Sequence, residues 1–72
     1  MADSVGEALP REMKRVREEV LPAYYECLKH APMTQIAINL MNASLDAAAK
    51  ALAEGDVVAI IQAYEDLKGY ES

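Results

Sequence analysis

Between the proline at position 32 and the glycine at position 55 the chain carries no helix breaker, and its apolar residues there are too many for a single face. Projected at 100° per residue, Ile36, Leu40, Ala47 and Ala51 form one stripe, and Ile38, Met41, Leu45, Ala48 and Leu52 form a second beside it. Together the stripes cover about 200° of a helix about 34 Å long, running from Pro32 or Met33 to Glu54. Gln35, Asn39, Asn42, Asp46 and Lys50 mark the narrow polar side. One neighbouring helix covers a stripe of about 100°, so this segment requires at least two partners and is expected to be the central element.

A chain of 72 residues has few helices with which to meet that demand. Domains of this size bury only about 60% of the surface that their unfolded chains expose, and one core below about 70–80 residues seldom supplies more than about 3–5 kcal/mol. With one Cys and one His there is neither a disulfide framework nor a structural zinc set. Apolar packing and self-association are therefore the expected sources of stability, and the cysteine usage suits a reducing compartment. No stretch of 18 apolar residues exists, and Met1 to Glu7 lacks the basic start and apolar run of a signal peptide. The expectation is a soluble, cytoplasmic protein without a membrane contact.

From about Leu9 the apolar residues fall at Leu9, Met13, Val16, Val20, Ala23 or Tyr24, Cys27 and Ala31, an alternation of four and three that predicts an amphipathic helix with one narrow seam. Pro22 lacks the N–H that would bond the Glu18 carbonyl, so the helix should bend near residues 18 to 22, or divide into two with Leu21 outside. The sequence His30-Ala31-Pro32 ends it, because a residue before proline is pushed out of the helical region. After the central helix, Gly55 suits a left-handed helix end and Asp56 a cap for the next start. Val57, Ile60, Ile61, Tyr64 and Leu67 then form the stripe of a short third helix that ends before Gly69. The expected fold is all-α: a three-helix antiparallel arrangement of a long kinked helix, a long central helix and a short helix, assembled as an oligomer. It comprises a flexible segment 1–7, a single helical domain 8–70 and a frayed end at 71–72, with the residues from Gly69 onward fraying.

The formal charge of −5 argues against a general nucleic-acid coat. Arg11, Lys14, Arg15 and Arg17 nevertheless lie within one short stretch, whereas the C-terminal third is acidic. Near-neighbour pairs of Glu7 with Arg11, Lys14 with Glu18 and Arg15 with Glu19 would solvate that basic face.

No catalytic constellation emerges. Cys27 and His30 share a helix face, but Cys27 falls on the apolar seam and His30 in the last turn, with no third ligand. Ser4, Ser44 and Ser72 have no histidine partner, and no Gly-rich phosphate loop follows a strand. Glu18 with Glu19, and Glu65 with Asp66, are sequence neighbours that point in different directions. Neither a cofactor nor a metal is expected. With Phe and Trp absent, aromatic contacts come from the tyrosines, of which Tyr24 and Tyr64 fall on apolar stripes and Tyr25 and Tyr70 do not. Tyr25 is then either an interface anchor or a cover for the seam edge. The small residues from Ala43 onward, the Gly55-Asp56 turn, Ile60 and Tyr64 resemble one helical hairpin of the tetratricopeptide class, which implies a tight hairpin with small residues at the crossing.

These features point to a non-catalytic adaptor or inhibitor, of a kind that includes phage-encoded proteins. It would bind itself, as a homodimer or higher oligomer, and another protein, with Arg11, Lys14, Arg15 and Tyr25 as contact residues. The alternative is an oligomeric binder of an anionic small molecule such as a nucleotide, held by the segment Arg11 to Arg17.

Overall fold

Ser4 caps the first helix. In the computed structural model of the protein, which describes residues 4–71, Ser4 is extended and its Oγ accepts from the Glu7 N–H at 3.3 Å. That bond satisfies one of the free donors of the first turn, and Glu7 complements the turn's partial positive charge. Helix α1 accordingly spans Val5–Arg15, starting ahead of the Leu9 at which the apolar spacing begins and taking Pro10 into its interior.

The chain does not break at Pro22. A π turn over Val16–Val20 leads directly into α2, Leu21–Leu28, and Arg15, Val16, Val20 and Leu21 all keep right-handed helical dihedrals. Leu21 donates to the Val16 carbonyl, one residue further back than an α-helix would reach. This wider turn sits where the proline ring would crowd the Glu18 carbonyl, so the bend is absorbed within one continuous helical run that includes Leu21.

The extra residue in the π turn rotates everything after it by about 100°. Val20 and Leu21 are consequently both buried, and the seam continues through Tyr24 and Leu28, which pack against the core. Cys27 and Ala31, the positions that the unbroken spacing selects, are exposed. The expectation of a buried Cys27 is thus corrected by a single phase shift.

Helix α3 spans Thr34–Glu54; its second stripe is covered, but of the first only Ala51 is buried. Ile38, Met41, Leu45 and Ala48 are buried and Leu52 packs against them, whereas Ile36 and Leu40 remain 60% and 57% exposed. Gly55 ends the helix at φ 67°, ψ 24°. Its N–H bonds the Leu52 carbonyl at 3.3 Å and the Asp56 N–H bonds the Ala51 carbonyl at 3.3 Å, the paired bonds of a Schellman end. Asp56 then caps α4, Val57–Lys68, by accepting the Ala59 N–H on Oδ1 at 3.2 Å.

The α4 stripe is turned from its expected line. Ile60, Ala63 and Leu67 are buried, while Val57 and Ile61 stay 65% and 44% exposed. With Ala48 and Ala51 on α3, Ala63 supplies small side chains where the helices meet. The described residues contain no strand, and the three helical segments pack around one core that includes Leu9, Val16, Ile38 and Leu67. The molecule measures 41 × 24 × 15 Å, and its thinnest dimension accommodates two helix layers at the usual separation of about 8–10 Å. A two-layer arrangement leaves each helix with an outer side.

Candidate interaction site

The basic segment of α1 meets the end of α4. Arg15 Nη2 donates to the Leu67 carbonyl at 3.0 Å and to the Tyr70 carbonyl at 2.9 Å, and Arg15 Nε is held by the Glu12 carboxylate at 3.3 Å. The last turn of a helix presents carbonyls with no intrahelical donor, and a guanidinium both satisfies them and complements the partial negative charge there. Arg15 is therefore engaged within the chain, and it turns toward Glu12 rather than in the direction of Glu19.

Tyr70 is drawn in by the same contact. The chain bends after Lys68, Tyr70 packs half-buried against the core, and its Oη lies 2.9 Å from Ser44 Oγ on α3. Tyr70 is thus held to both α1 and α3. Helical projection missed Tyr70 because the residue lies beyond the end of α4, where helical phase no longer applies.

Arg11, Lys14 and Arg15 do come together, lining one open depression of about 200 Å³. Glu18 and Glu19 line it as well, so its cations face carboxylates at close range. Tyr25 is not part of that lining. It stands 49% exposed on α2. Lys68 lies over the ring of Tyr64, also half-buried, at 5.7 Å from its centroid.

The most extensive uncovered chemistry is apolar. Met33, Ile36 and Leu40 are 78%, 60% and 57% exposed, and Ala43 and Ala47 continue the same line along α3. Val57, Val58 and Ile61 expose a second apolar group on the first turns of α4. Sequence projection identified the α3 stripe but not which of its two stripes the fold would leave open. Among the described residues, no group of three or more His, Cys, Asp or Glu side chains could hold a metal ion. Nor is any helix among the described residues long and apolar enough to cross a membrane.

Compared with protein-family models, curated proteins and solved structures, the chain matches none. The tetratricopeptide resemblance of residues 43–67 accordingly extends no further than a pair of helices joined by a tight turn.

Proposed function

We propose that this chain is a small non-catalytic helical module for protein–protein interaction or oligomerisation, acting as an adaptor or inhibitor. The observation that carries the reading is the uncovered stripe of α3, where Ile36 and Leu40 lie more than half exposed beside a buried stripe on the same helix. Large apolar side chains lined up on one exposed face mark a surface that another helix can cover. The two-residue connection between α3 and α4 supports an antiparallel arrangement of these packed helices. An exposed, unpaired Cys27 suits a reducing compartment and supports a cytoplasmic location.

The anionic small-molecule reading has less support. Its depression carries Glu18 and Glu19 beside the cations, and Arg15 already serves two carbonyls of the chain. Tyr25, half exposed on α2, is a candidate anchor, and a nucleic-acid partner runs against the net charge.

The test is binding by immobilised full-length protein, compared between the wild type and a Leu40→Glu variant of equal helicity. Loss of the captured partner or of self-capture with the variant is expected. Equal capture by both would contradict the assignment of the face.

A further inference from the structure

We infer that the exposed α3 stripe is the seat of a second copy of this chain, docked antiparallel about a two-fold axis midway between Leu40 and Ala43. This deepens the interaction-module reading and rests on it. Met33, Ile36, Leu40, Ala43 and Ala47 are all exposed and follow a strict alternation of three and four residues, which is the spacing of a helix–helix seam. The seam is asymmetric along its length, with large side chains in its first half and alanines in its second.

That asymmetry selects the direction. A parallel pair would set Ile36 and Leu40 against their own copies and alanine against alanine, forcing the helices apart at one end and leaving a gap at the other. An antiparallel pair sets Ile36 against Ala47 of the second copy and Leu40 against Ala43, so that both branched side chains meet an alanine, while Met33 falls opposite Lys50 at each end. A two-fold interface is isologous, and this stripe is complementary to itself only in that orientation.

The charges agree. A parallel pair would bring Lys50 beside Lys50 and Glu54 beside Glu54. The antiparallel pair instead places the two Lys50 side chains, and the two Glu54 side chains, at opposite ends of the contact. Beside the seam, Gln35 and Asn39 are neutral amides already bonded to each other at 2.9 Å, so the net negative charge of the chain does not concentrate at the contact.

Light scattering and disulfide trapping of the full chain, in a Cys27→Ser background, test this. The background protein should have twice the 7.9 kDa chain mass, and Leu40→Glu should reduce it to the single-chain mass with an unchanged helical spectrum. Val58→Glu, on the other exposed group, should leave the doubled mass intact. Ile36→Cys and Ala47→Cys should each fail to cross-link alone but give a covalent dimer when mixed and oxidised. A monomeric background protein, a dimer that survives Leu40→Glu, or ready cross-linking of Ile36→Cys with itself would each overturn the proposal. Any of these outcomes would leave the broader module reading to the capture experiment, which is scored on partner binding and not on self-association alone. Should Leu40→Glu fail to fold, the cysteine pair still decides the register.

Discussion

Arg15 Nη2 lies 3.0 Å from the carbonyl oxygen of Leu67, a residue 52 positions later, and so fastens the end of α4 to α1. The same nitrogen reaches the Tyr70 carbonyl at 2.9 Å. Charge-assisted bonds at a helix end are worth more than exposed ion pairs, and this one adds to the Tyr70 N–H bond that the Leu67 carbonyl accepts at 3.1 Å. Replacing Arg15 by Met, which keeps the aliphatic stem, should lower stability by about 1–2 kcal/mol, read as an earlier urea midpoint. An unchanged midpoint would show that the C-terminal contact is not held in solution. Arg15 is therefore unsuitable for a charge-removal test of binding, since its loss would alter the fold as well.

The hydroxyl of Tyr70 should be worth less than its ring. Tyr70→Phe removes only the bond to Ser44 and should cost about 0.5–1 kcal/mol, whereas Tyr70→Ala also uncovers the core beneath it and should cost more. In a double-mutant cycle, Ser44→Ala added to Tyr70→Phe should produce little further loss, since both changes break one bond. Full additivity of the two losses would mean that the bond is absent.

Gly55 is expected to resist substitution for a reason other than space. No atom lies within 4 Å of the position that a Cβ would take, but φ is +67°. An L side chain in that conformation costs about 1 kcal/mol, so Gly55→Ala should shift the urea midpoint by that amount with an unchanged spectrum. A neutral substitution would place the helix end elsewhere.

Cys27 should react with a thiol reagent in the native protein nearly as fast as in the unfolded chain, because it is exposed. Slow native labelling would instead indicate that the seam runs through Cys27, as its unbroken spacing suggests. Cys27→Ser should correspondingly leave stability within about 0.5 kcal/mol of the wild type.

These contacts differ in how far they were legible in the sequence. The wide apolar arc of α3 and the Gly55-Asp56 boundary are local features, fixed by helical phase and by the conformational range of glycine, and both are present in the structure. The exposure of Cys27 was not legible, because a π turn ahead of Pro22 adds one residue to the circuit and no spacing rule announces it. Nor was the Arg15 contact. Its acceptors are main-chain carbonyls, which every residue carries, and they are brought near only by the packing of α4 on α1. Arg11, Lys14 and Arg15 are neighbours in sequence and line one depression, but the carboxylates that share it and the internal engagement of Arg15 depend on side-chain direction.

The dimer account turns on a second copy covering the α3 stripe, and methyl resonances of Ile36 and Leu40 followed across a dilution series test it most directly. Both should shift as the protein is diluted, while those of Ile38 and Leu45, on the buried stripe of the same helix, stay in place. Resonances of Ile36 and Leu40 that do not move with concentration, or that move no more than those of Ile38 and Leu45, would contradict it.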